Sequence, residues 1–109
     1  TDEKKLLLVN FTGSDWSNPC RILQRKVLNT KTFLDFAVER YVLVTADFPR
    51  NKQQADNQKI ANQILAHRYN VKRFPTLLIL DANGTEVRRI SDYNGTSTAQ
   101  FIQSLIKNQ

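Results

Sequence analysis

The residues from Leu6 to Val9, continued by Asn10 and Phe11, form a nearly unbroken apolar run. That pattern predicts a short strand covered on both faces. Thr12 to Asp15 is a loop by composition. A helix is predicted from about Ser17. Serine is a favoured N-cap, Pro19 is tolerated in a first turn, and Ile22, Leu23 and Val27 follow at helical spacing. Thr32-Phe33-Leu34-Asp35 has the form of a capping box with Asp in place of Glu. It predicts a second helix with Phe33, Phe36 and Ala37 on one side.

Tyr41 to Phe48 reads as a second buried strand, and Pro49 to Asn57 as an exposed loop. Ile60, Ile64, Leu65 and Tyr69 mark a third helix ending near Asn70. Thr76 to Asp81 is a third strand, Ala82-Asn83-Gly84 a tight turn tolerant of positive φ, and Thr85 to Ser91 a fourth strand. Gly95 breaks the chain, and Ser97 with Gln100 caps a last helix that turns Phe101, Ile102, Leu105 and Ile106 inward. The order β-α-α-β-α-β-β-α predicts an α/β fold. Strands separated by helices are expected to run parallel and the hairpin pair antiparallel, in a mixed four-stranded sheet with helices on both faces. No repeat or linker divides residues 1–109, so one domain is expected.

Composition narrows this picture. At 109 residues and 40% hydrophobic the chain can bury a real core. No apolar run approaches the ~20 residues of a membrane helix. The net charge is +6, which raises nucleic acid or anionic surfaces as partners. However, Lys4, Lys5, Arg21, Arg25, Lys26, Arg68, Lys72, Arg73, Arg88 and Arg89 are dispersed, with no aromatic ladder between them. They read as a solvated basic surface, not a specific nucleic-acid site.

One Cys allows no internal disulfide framework, and one Cys with one His is too few for a metal site. His67 reads as a surface or helix-end residue. No phosphate loop or Ser–His–Asp set is present, so no cofactor or metal is expected. The chain opens at Thr1 and lacks Met, which reads as a processed piece with any leader removed. Sequons occur at Asn10, Asn83 and Asn94. The first falls in a predicted strand and reads as chance; the others matter only in a glycosylating, exporting host.

Two short segments carry the chemistry: Trp16-Ser17-Asn18-Pro19-Cys20 at the start of the first helix, and Arg73-Phe74-Pro75-Thr76 before the third strand. Paired in this strand order, they resemble the thioredoxin family, whose motif is W-C-G-P-C followed later by an apolar residue, Pro and Thr. The resemblance covers nearly the whole chain. Thr12 to Trp16, Ala46 to Arg50, Gln58-Lys59 with Asn62, and Tyr69 to Thr76 are more narrowly similar to exported bacterial thioredoxin-like and disulfide-isomerase-like domains.

That resemblance implies a thioredoxin-like fold, protein or peptide substrates carrying thiols or disulfides, a reductase partner, and a periplasmic or secreted location. It places the catalytic pair at Ser17 and Cys20, and the substrate-binding positions at Trp16, Asn18, Pro19, Phe74, Pro75 and Thr76. In the family the first Cys attacks and the second resolves the mixed disulfide. Ser17 stands at the attacker's position, and a serine hydroxyl without an adjacent base does not replace a thiolate. Dithiol turnover is therefore expected to be lost or strongly impaired. Ser17 is either native or a substituted Cys, which codon 17 distinguishes.

Cys20 is either a buried, inert thiol or a monothiol that a partner can reach. Asn10 stands near the place where many thioredoxins carry a buried Asp that assists proton transfer. Pro75 matches the family's cis-proline, which presents the Phe74 backbone to an extended peptide; alternatively it only begins a strand. Trp16 either flanks that groove or lids the core. The alternative function is a non-catalytic module that binds peptides or partner proteins through the Trp16/Pro75 groove.

Overall fold

The computed structural model describes residues 5–106; Lys4 and the Thr1 terminus lie outside them. β1 (Leu6–Thr12) leads into α1 (Asn18–Leu23), which continues as a π-helical turn over Gln24–Leu28. α2 (Lys31–Val38), β2 (Tyr41–Asp47), α3 (Asp56–Arg68), β3 (Thr76–Leu80), β4 (Glu86–Ile90) and α4 (Thr98–Ile106) follow. The sheet order is β2-β1-β3-β4. It is the expected mixed four-stranded sheet.

β1 earns its continuous apolar run by alternation. Leu8 joins Leu23, Val27, Phe33, Leu77, Phe101 and Leu105 on one face. Val9 and Phe11 join Ala46, Leu78 and Leu80 on the other, with Leu65, Tyr69 and Phe74 packed beside them. Successive side chains of a strand point to opposite faces, so a central strand must be apolar throughout. Phe33 meets Phe101 edge-on at 6.0 Å between ring centroids, a favoured aromatic geometry.

The structure corrects four sequence expectations. β2 is an edge strand, not a buried one: Leu43 and Val44 are 47% and 37% exposed. Sheet order is a long-range property, and an apolar run does not distinguish an edge from a centre. β3 runs antiparallel to β1, with Phe11 opposite Thr76, while β1 and β2 are parallel. The segment after Asp47 and α3 return the chain to the end of the sheet that β2 left, so β3 starts there.

The second helix is capped by Thr30, not Thr32. Thr30 is extended (φ −82, ψ 147) and its hydroxyl oxygen accepts the Phe33 N–H at 3.2 Å. Thr32 already lies inside the helix. In the hairpin only Gly84 has positive φ (+79) and Asn83 does not; the Gly84 N–H closes the turn on the Asp81 carbonyl at 3.0 Å.

Other local readings are matched. Ser97 and Gln100 form the reciprocal box, each side chain accepting the other's backbone N–H at 3.2 Å. Asn70 takes a left-handed conformation (φ 54). Val71 donates to the Ala66 carbonyl and Asn70 to that of His67, the paired bonds of a Schellman C-cap. His67 is exposed in the last turn of α3.

Candidate functional site

The C-terminal ends of β1 and β2 and the start of β3 meet at one end of the sheet. Every residue singled out in the two motifs is placed there. Ser17 is the N-cap of α1: it is extended (φ −92, ψ 113), donates its N–H to the Gly13 carbonyl at 2.8 Å, and accepts the Cys20 N–H on its hydroxyl oxygen at 3.4 Å. Asn18 and Pro19 are exposed in the first turn, where Pro19 removes an N–H that has no helical acceptor.

Cys20 is 3% exposed, and its sulfur accepts the Gly13 N–H at 3.4 Å. Ser17 is 5% exposed. Ser17 and Cys20, the first and last residues of the S-x-x-C motif, thus face protein rather than solvent.

Trp16 is held on all sides. Its ring lies on Gly13 so closely that a Cβ there would come within 2.3 Å of Cε2. Its Nε1–H donates to the Phe48 carbonyl at 2.7 Å. Its ring meets Phe74 edge-on at 5.8 Å, and Phe48 stacks against Phe74 at 5.1 Å. The Arg50 guanidinium sits 3.7 Å from the centre of the indole, within cation–π range. The Phe74–Pro75 peptide bond is cis, Pro75 and Thr76 are buried, and the Thr76 hydroxyl donates to the Arg73 carbonyl at 2.6 Å.

The sequence reading missed what fixes this cluster. The Asp15 carboxylate accepts the backbone N–H groups of Arg50, Asn51 and Lys52 at 3.0, 3.0 and 2.8 Å. Those bonds, the Arg50 N–H first, hold its carboxyl below the usual value despite opposing desolvation, with the Lys52 charge assisting. Asp47 accepts from the Ser14 N–H and hydroxyl at 3.0 and 2.6 Å and pairs with Lys52 at 3.1 Å. Burial pushes the Asp47 carboxyl up, but Ser14 and Lys52 together bring it below its usual value. The Asp47 carbonyl also accepts from Gln54 and Asn62. The loop after β2 is thereby clasped to the loop after β1. The partners are more than 30 residues apart, so no local pattern announces them.

Asn10 lies in β1, is 8% exposed, and its amide oxygen is buried without a hydrogen-bond partner. It borders a cavity of about 160 Å³ together with Leu8, Phe33, Leu43 and Leu77. Among the described residues no group of three or more His, Cys, Asp and Glu is placed to hold a metal ion. No helix among them is long and apolar enough to cross a membrane.

The fold agrees with comparison to known proteins. The Thioredoxin-like domain family matches residues 1–108. The chain is 36% identical over 98 residues to the disulfide bond reductase DsbH of Chlamydia pneumoniae, covering 90% of this chain and 58% of that protein. It is 26% identical over 99 residues to the thioredoxin-related protein DsbJ of the same organism, covering 91% of this chain and 28% of that one. A solved structure titled DsbH Oxidoreductase superposes with a TM-score of 0.86 at 31% identity, covering 97% of this chain and 75% of the other. The chain therefore spans less than two thirds of the length of both curated relatives.

Proposed function

The chain belongs to the thioredoxin-like domain family, and from that premise we propose that it engages protein thiols and disulfides in the groove between the Trp16–Cys20 motif and Phe74-Pro75-Thr76, without turning them over as a dithiol enzyme. The single observation that carries this reading is Ser17 in the attacker's position, its hydroxyl occupied as the cap of α1. Pro75 immediately precedes β3, which Thr76 begins, and is assigned the presentation of the Phe74 backbone to an extended peptide; Asn18 and Pro19 supply the exposed side.

A thiolate at Cys20 that attacks a partner disulfide forms one new S–S bond and expels the partner's other sulfur as a thiolate. Release then needs a second thiol. This chain has no other Cys, so an external thiol or a reductase partner must supply it. A periplasmic or secreted setting is part of the same proposal, since such substrates persist in oxidising compartments.

Insulin reduction by dithiothreitol tests the reading. The chain as given leaves the rate at its background value, and Ser17→Cys accelerates it. Clear acceleration by the unaltered chain, abolished by Cys20→Ala, would falsify the assignment.

The burial of both Ser17 and Cys20 favours a second reading, a non-catalytic module that binds peptides or partner proteins through the same groove. Under that reading Cys20→Ala binds extended peptides as well as the parent; under the first, capture of a disulfide peptide as a covalent adduct disappears.

A further inference from the structure

A groove of about 570 Å³ lies beside the clasped loop, lined by Phe48, Arg50, Lys52, Gln54, Lys59 and Asp56. Three of its charged side chains are cations and one is a carboxylate. The groove is continuous with the motif. Phe48 lines it and also stacks on Phe74 at 5.1 Å, and Arg50 lines it while covering Trp16 at 3.7 Å.

The loop that carries Arg50 and Lys52 is set in place. The Arg50 and Lys52 backbone N–H groups are pinned on Asp15, and Lys52 also pairs with Asp47. Positions fixed before binding lose less side-chain freedom when they take up a partner. Cationic Lys72 and Arg73, both exposed, precede Phe74 in the chain.

Resting on the groove reading proposed above, we infer that the partner is an extended peptide segment with acidic residues beside the part held at Phe74 and Pro75, its carboxylates seated in the Arg50/Lys52/Lys59 groove. Charge complementarity of this kind selects among partners more than it adds raw affinity. It lies on the loop after β2 and the first turn of α3, outside the S-x-x-C motif.

Trp16 is the only Trp in the chain, so its fluorescence reports the site directly. Three cysteine-free peptides of one length are titrated at low salt: one with glutamates flanking an apolar centre, one with glutamines, one with lysines. The Glu peptide is expected to bind about three- to tenfold tighter than the Gln peptide, the scale of two exposed ion pairs, and the Lys peptide weakest. In Lys59→Gln, with unchanged circular dichroism, the ratio of Glu-peptide to Gln-peptide affinity falls towards one. Raising ionic strength does the same in the parent.

Equal binding of the Glu and Gln peptides overturns the acidic-partner inference and leaves the groove reading standing. No binding of any peptide overturns the groove reading itself. Tight binding of a single-stranded oligonucleotide, with none of the Glu peptide, overturns the inference in favour of nucleic acid.

Discussion

The Ser17 hydroxyl oxygen accepts the backbone N–H of Cys20 at 3.4 Å. The first residue of the S-x-x-C motif therefore holds the turn in which its cysteine sits. Ser17→Ala should destabilise the fold by about 1 kcal/mol, the usual loss of a serine cap, measured by urea unfolding. Unchanged stability would show that the contact contributes nothing.

Cys20 is 3% exposed with its sulfur against the Gly13 N–H. Native protein should react with an aromatic disulfide reagent at least ~100-fold more slowly than the same protein in urea, because burial limits the access that thiol exchange requires. Comparable rates in the two conditions would mean that the sulfur is reachable without opening.

Gly13 is fixed by the indole lying on it. Gly13→Ala should cost about 1–3 kcal/mol, because Trp16 is tied to Phe48 and covered by Arg50 and has little room to withdraw. Thermal unfolding gives the loss, and a shifted Trp16 emission spectrum shows where it arises.

The clasp between the two loops should open in acid. Asp15 and Asp47 both carry carboxyls held below their usual value in the fold. A depressed folded value means that the stability is present above the unfolded carboxylate value, about 3.9, and is lost as pH falls through the folded values. Trp16 fluorescence should therefore be flat from neutral pH to about pH 4 and change below it. In Asp15→Asn the change at acid pH should be smaller, since one of the two titrating groups is gone. A transition centred near neutral pH would contradict the assignment.

Asn10 has a buried amide oxygen with no partner, beside a small cavity lined by Leu8, Phe33, Leu43 and Leu77. Asn10→Leu removes an unpaired polar group and should raise stability by about 1 kcal/mol, or Tm by about 4–8 °C. A lower Tm would show that the amide has an ordered partner worth more than the packing gained.

Much of this fold could be read along the chain because the signals are local. Ser17 caps α1, Ser97 and Gln100 cap α4, and Asn70 ends α3 as their types demand. What escaped depends on distance. β2 and β1 carry similar apolar runs, yet only sheet order leaves Leu43 and Val44 at an edge. Thr30 and Thr32 are chemically equivalent caps, and the choice belongs to the backbone entering α2. Within the site, Trp16, Cys20 and Pro75 were visible as motif letters. Arg50, Phe48 and Asp15 lay in stretches matched by resemblance, but their contacts were not legible, because those arise only when residues 32 to 37 positions apart meet.

The π-helical turn over Gln24–Leu28 is closed by the Asn29 N–H on the Gln24 carbonyl at 2.9 Å. Such a turn carries one residue more than the α-helix it interrupts. Within it, Val27 meets the core at a phase that a continued α-helix would not have given. Leu23 at the end of α1 and Val27 in the π-helical turn both anchor the core, while Asn18, Pro19 and Arg21 face outward. Asn18, Pro19 and Arg21 can be exchanged without disturbing Leu23 or Val27, so this end of the domain is a replaceable head on a fixed stem.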